Sequence, residues 1–164
     1  IGLFLIYVAL QPADYKIYRE LSMRAAPEVI FPYINSSEKA NAWMPWKDKD
    51  PEMKMSYSGP TEGIGSKSNW ESNGQMGVGE SEVVESLVNQ TVRTQLTYTK
   101  PFAMYQVAEV SLASAPDGTL VRWSVEGRNN FVGRLFSVFL NMDTLVGVEF
   151  EKGLSSLKSL VEAK

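Results

Sequence analysis

Neither cysteine nor histidine occurs among the 164 residues of the chain. Without cysteine there are no disulfides, no thiolate nucleophiles and no sulfur ligands for a metal. Without histidine the usual general base near neutral pH is missing, together with Ser-His and Cys-His pairs and the commonest transition-metal ligand. Any chemistry falls to carboxylates, Tyr, Lys or a bound cofactor, and no pattern in the chain calls for a cofactor or a metal. A basic surplus is lacking too: 16 Lys and Arg stand against 19 Asp and Glu, for a net charge of −3. Nucleic acid needs a concentrated basic surface to displace its counterions, so it is not an expected partner. The absence of cysteine does not fix a compartment, and nothing in the sequence fixes an oligomeric state. Hydrophobic residues make up 44% and charged residues 21%, ordinary globular usage that argues against disorder. The length suits one domain with one core.

Long apolar runs are also scarce, with one exception. Residues 1–10 read IGLFLIYVAL and carry no charge. As a helix this run would span about 15 Å, half of a ~30 Å hydrocarbon core. Residues 1–12 are therefore expected to be the remnant of an N-terminal hydrophobic anchor or signal segment, with the folded domain at 13–164. No clear small-x-small cleavage site follows, which favours an uncleaved anchor. The competing expectation is a buried first element of the domain itself. The corresponding localisation is membrane-associated, against a soluble cytoplasmic alternative. The side of the membrane stays open, because Lys16 and Arg19 are offset by Asp14 and Glu20.

From Tyr15 the pattern alternates, with Tyr15, Ile17, Arg19, Leu21 and Met23 on one face of a strand. Pro27 and Glu28 open a short helix through Ile34, with Val29, Ile30, Tyr33 and Ile34 as its apolar stripe. Residues 35–50 are rich in turn formers and hold Trp43 and Trp46. Six strands are expected at 54–59, 66–72, 77–86, 91–99, 104–113 and 119–127, each bounded by Gly, Pro or Asn. Their short connections make an antiparallel meander, and Asp117-Gly118 is a strong turn pair. The period then becomes helical, first through Phe131, Leu135, Phe136, Phe139 and Leu140. A second helix follows with Val146, Phe150, Leu154, Leu157, Leu160 and Val161 on one face. Gly147 and Gly153 weaken it slightly or allow close approach to a sheet. The class is α+β. Gly65, Gly77 and Gly79 mark places where the sheet bends.

Several phrases resemble a known family. They are Ala25-Ala26-Pro27-Glu28-Val29-Ile30-Phe31-Pro32-Tyr33-Ile34-Asn35, Trp43-Met44-Pro45-Trp46, Tyr57-Ser58-Gly59-Pro60 with Gly63-Ile64-Gly65, and Trp70-Glu71. Gly77-Val78-Gly79-Glu80, Asn141-Met142-Asp143 and the run from Phe150 to Leu157 complete the set. Together they are similar to the polyketide cyclase/dehydrase-like branch of the SRPBCC, or START-like (Bet v 1-type), superfamily, over about residues 15–162. The resemblance implies a helix-grip fold: a curved antiparallel sheet of about seven strands wrapped around the long C-terminal helix, with two short helices after the first strand. It also implies a hydrophobic cavity between sheet and helix, since relatives include lipid and sterol carriers, aromatase/cyclases and co-chaperone domains. Some relatives carry an N-terminal hydrophobic anchor. Fold-level analogy does not transfer a reaction.

The expected partner is a hydrophobic small molecule, lipid-like or aromatic, and catalysis is the less favoured reading. Alternation and the resemblance name Trp43, Trp70, Leu96, Tyr98, Val110, Trp123, Phe139, Phe150 and Leu154 as cavity-lining residues. The competing expectation is that they fill each other's space as a solid core. Trp43 and Trp46 either gate a cavity mouth or pack against the short helix, the latter favoured for Trp46. No residue is named as catalytic: the strand carboxylates Glu71, Glu80, Glu82, Glu109 and Glu126 read as solvent-exposed. Asp143 is expected to cap the last helix. The glycines at 74, 77 and 79 do not form a phosphate loop, because no strand–glycine–helix context surrounds them. A cyclase or dehydratase and a co-chaperone-like interaction domain are the alternative functions.

Overall fold

The computed structural model describes residues 2–163; Ile1 and Lys164, the outer ends of the two expected segments, lie outside the described residues. Helix α1 (Gly2–Leu10) precedes strand β1 (Asp14–Met23). Three short helices follow: α2 (Pro27–Ile34), α3 (Ser37–Ala40) and α4 (Trp46–Lys49), the last a single turn beyond the two expected. The meander comprises β2 (Lys54–Ser58), β3 (Lys67–Glu71), β4 (Val78–Leu87), β5 (Thr91–Lys100), β6 (Met104–Ala115) and β7 (Gly118–Arg128). Helices α5 (Phe131–Phe139) and α6 (Met142–Glu162) close the chain.

All seven strands pair antiparallel in one sheet, ordered β1-β7-β6-β5-β4-β3-β2. The first strand thus returns to pair with the last, which no local pattern announces. Register shifts within the β4–β5 ladder, at Val78/Gly79 and Val83/Glu85, bend the sheet. Gly79 has a further reason to be glycine, since a Cβ there would stand 2.3 Å from the Trp70 ring.

Residues opposite one another in an antiparallel ladder share a face. The concave face therefore carries Ile17, Val125, Ala108 and Thr94 in one row, and Arg19, Trp123, Val110 and Val92 in the next. Helix α6 lies over this face and comes closest to β1. Its two glycines make that approach: a Cβ at Gly147 would stand 1.9 Å from Arg19 Nη2, and one at Gly153 would stand 2.7 Å from the Trp123 ring. Phe150, Leu154, Leu157 and Val161 complete the core against Met23, Ile30, Ile34, Val83 and Val121.

The cap of α6 differs from expectation. Asn141 is the N-cap, its Oδ1 accepting from Thr144 N at 3.1 Å. Asp143 sits inside the first turn, where Arg19 Nη2 donates to its Oδ2 at 3.0 Å while Arg19 Nε donates to Glu151 Oε1 at 2.9 Å. The arginine on the concave face pairs with Asp143 in the first turn and ties β1 to α6.

Candidate functional site

The concave face divides into a filled half and an open half. In the filled half Trp123 stacks on Phe150 with ring centroids 3.9 Å apart and planes within 10°. Trp43 and Trp46 meet Trp123 edge-on at 5.0 and 6.1 Å. Trp43 is buried and its indole N–H donates to Tyr33 O at 2.9 Å, so it is a packing residue rather than a gate. Val110 and Leu154 are buried in the same cluster. Five of the nine expected lining residues thus fill one another's space: Trp43, Val110, Trp123, Phe150 and Leu154.

Trp70, Leu96 and Tyr98 lie on the same face nearer the open half. Trp70 donates its indole N–H to Met76 O at 3.1 Å and meets Tyr98 edge-on at 5.1 Å. Leu96 and Tyr98 are half-buried. Phe139 lies outside the interior altogether: it is 70% exposed, with its ring 6.1 Å from Phe4 of α1. The reason is an 84° bend between α5 and α6, which swings α5 off the sheet and against α1.

At the open end, where β1 and β6 begin and β7 ends, lies a cleft of about 810 Å³. Val132, Gly133 and Phe136 of α5 roof it, and Phe102 and Met104 form one wall. Its floor is the last concave row, which runs Tyr15, Gly127, Gln106 from β1 across β7 to β6; Leu96 of β5 pairs with Gln106 beyond the lining. Gly127 leaves room for the phenol: a Cβ there would stand 2.6 Å from Tyr15 Oη. Gln106 Nε2 reaches across to donate to Tyr15 Oη at 2.5 Å. Burial pushes the Tyr15 phenol above its ordinary value, and the bond from Gln106 offsets part of the rise. Tyr98 is pushed up to about 12, first by burial and then by the nearby Tyr15. Both phenols are therefore neutral at physiological pH.

None of the nine expected residues lines this cleft. Tyr15 and Gln106 were nonetheless within reach of the sequence. Tyr15 opens the inward face of β1, and Gln106 is the next inward position before Ala108 and Val110. Both are polar, whereas the expected lining is almost wholly apolar.

The strand carboxylates lie on the convex face. Lys67 Nζ bridges Glu82 at 3.0 Å and Glu80 at 3.7 Å, Arg93 sits among Glu85, Glu109 and Glu126, and Glu71 is exposed. Glu149 of α6 is a buried acid that the sequence reading missed, and Lys152 and Lys49 hold it at 3.1 and 3.4 Å. Among the described residues no three acidic groups gather closely enough to hold a metal ion.

The family model described as polyketide cyclase / dehydrase and lipid transport matches residues 15–162. No curated protein matches the chain. Among solved structures, a protein of Mesorhizobium loti is similar at 16% identity and TM-score 0.64, covering 92% of this chain and 98% of that one. The Aha1 dimer from Colwellia psychrerythraea is similar at 21% identity and TM-score 0.60, covering 90% of this chain and 96% of that one. The di-domain ARO/CYC StfQ from the steffimycin biosynthetic pathway is similar at 9% identity and TM-score 0.65, covering 92% of this chain and 51% of that one. At these identities the likeness is one of fold.

Proposed function

This chain belongs to the polyketide cyclase/dehydrase and lipid transport family, and from that membership we propose that it binds an apolar small molecule in the cleft at the open end of its sheet. The observation that carries the reading is the cleft itself, about 810 Å³ of mostly apolar space beside the packed core. That volume suits a drug-sized or lipid-like molecule. Trp70, Leu96 and Tyr98 would extend the binding surface along the concave face. Binding is favoured over a cyclase or dehydratase activity because the strand carboxylates face away from the floor, whose one ionisable side chain is the raised phenol of Tyr15. The test is native mass spectrometry of the chain purified from its own host, with solvent extraction of any bound compound. A stoichiometric apolar compound is expected, and Val132→Trp, which fills the roof, should expel it. Protein that arrives empty and takes up no apolar fluorescent dye would overturn the reading.

A second observation supports association with a membrane. Helix α1 has no charge, and it is exposed around most of its circumference, from Leu3 (86%) and Leu10 (77%) to Phe4, Leu5, Ile6 and Tyr7; only Val8 is buried. Helix α5 beside it exposes Phe131 and Phe139 away from the cleft lining, and carries one arginine and no acid. Each of these nine-residue helices is about 14 Å long. Hydrocarbon, unlike a protein partner, can surround a helix on every exposed side. No described helix is long and apolar enough to cross a membrane by itself. The proposed contact is of the exposed apolar surfaces of α1 and α5 with a membrane. Flotation with phosphatidylcholine/phosphatidylglycerol vesicles should carry the full chain upward, and Ile6→Glu with Phe139→Glu should abolish this. Wild-type protein left in the pellet would end the membrane reading without touching the cleft.

A further inference from the structure

We infer that the molecule held in the cleft presents an uncharged oxygen function, a hydroxyl or a ketone, to Tyr15 and Gln106, and that carboxylate-bearing molecules are disfavoured. The inference rests on the cleft being a binding site, and it adds the chemical class of the occupant.

The hydrogen-bond inventory of the floor carries the argument. Tyr15 Oη accepts from Gln106 Nε2, so the phenolic proton is left to donate elsewhere. Gln106 keeps its Oε1 acceptor and second N–H without a partner among the described residues. Together the pair offers a donor and an acceptor side by side, next to Gly127 and Met104. A purely hydrocarbon ligand would cover these groups and strip their hydration without replacing it, at a cost in affinity. A hydroxyl can satisfy both donor and acceptor, and a ketone oxygen can take the phenolic proton.

Charge is handled differently. The cations near the cleft, Lys16 and Arg128, are paired with Glu126 at 3.4 Å and Asp14 at 3.9 Å. Alternation along β1 and β7 puts Lys16 and Glu126 on the opposite face from Tyr15. A ligand carboxylate on the floor would meet the neutral phenol of Tyr15 and the Gln106 amide, while both lining cations are already paired. The same burial that raises the Tyr15 phenol opposes any anion there.

The experiment is calorimetric titration of the full chain with 2-naphthol, naphthalene and 2-naphthoate, which share one ring system and differ in the oxygen function. Wild type should prefer 2-naphthol and bind 2-naphthoate weakest. Tyr15→Phe and, separately, Gln106→Leu should each weaken 2-naphthol by roughly 3- to 10-fold, the loss of one neutral hydrogen bond, and leave naphthalene within about twofold. The inference is overturned if either variant weakens naphthalene and 2-naphthol equally, or if 2-naphthoate binds tighter than 2-naphthol. If naphthalene binds and the hydroxyl adds nothing, the class of occupant is wrong while the cleft reading stands. If none of the three binds, the cleft reading itself fails and takes this inference with it.

Discussion

Gly153 is one position where a single methyl group decides how closely α6 sits on the sheet. A Cβ there would stand 2.7 Å from the Trp123 ring and 3.2 Å from Pro45 Cδ, neither of which has room to retreat in the aromatic cluster. Gly153→Ala gains up to about 1 kcal/mol of helix propensity and meets an overpacking cost of about 1–3 kcal/mol. A net loss of stability is expected, read as a lower urea midpoint. Arg19 supplies the other residue-scale test. Its hydrogen bonds hold the Asp143 carboxyl below the ordinary value of 3.8. Because the folded-state value is the lower one, the stabilisation is complete above pH 3.8 and is lost as pH falls through the folded value. Glu162, held down by Arg24 N–H and Lys158, works in the same direction. Thermal unfolding between pH 2 and 6 should show an acid limb that Asp143→Asn makes shallower; an unchanged limb would assign the acid sensitivity elsewhere. That Asp143 serves Arg19 and not the helix end was hidden from the sequence, because Asn141 two residues earlier is an equally good cap and the competing arginine lies 124 residues away.

At the scale of the element, a helical period says that one face will be covered and is silent about what covers it. Phe131, Phe136 and Phe139 repeat as an amphipathic helix does, and α5 forms there. Phe150 and Leu154 repeat in the same way, and α6 forms there. The two differ in destination: α6 is long enough to lie along the sheet, whereas α5 turns 84° away and meets α1. The strands were legible to within one or two residues because alternation and bounding turn residues are local signals. A paired substitution separates the helices. Phe150→Ala removes the ring stacked on Trp123 and should cost about 3–5 kcal/mol, with a change in tryptophan emission. Phe139→Ala, at an exposed site, should cost within about 0.5 kcal/mol and reduce vesicle flotation instead. Equal losses of stability would mean that α5 is part of the cooperative core.

In the whole molecule, the cleft arises from topology. Tyr15 and Gln106 are 91 residues apart and meet only because β1 returns to pair with β7, which brings β6 one strand further. The family resemblance supplied that closure and with it the grip of sheet on helix. The expected lining set held two alternatives, a cavity or a solid core, and Trp43, Trp123 and Phe150 pack ring against ring. Stability should be distributed in the same uneven way. Strands β5, β6 and β7 are paired on both edges and hold Val92, Val110, Val121 and Trp123 in the core, whereas α1 and α5 together bury only Val8. Amide hydrogen exchange should therefore be slowest in the central strands and fastest in α1, α5 and the edge strand β2. Adding 2-naphthol separates local from global effects. A ligand under α5 should slow exchange in α5 and at the start of β6, where the cleft is lined. Strand β2, at the opposite edge of the sheet, opens by its own fraying and should not respond. Slowing in the central strands with no change at α5 would mean that the ligand stabilises the fold from some other site, and α5 would lose its role as the roof.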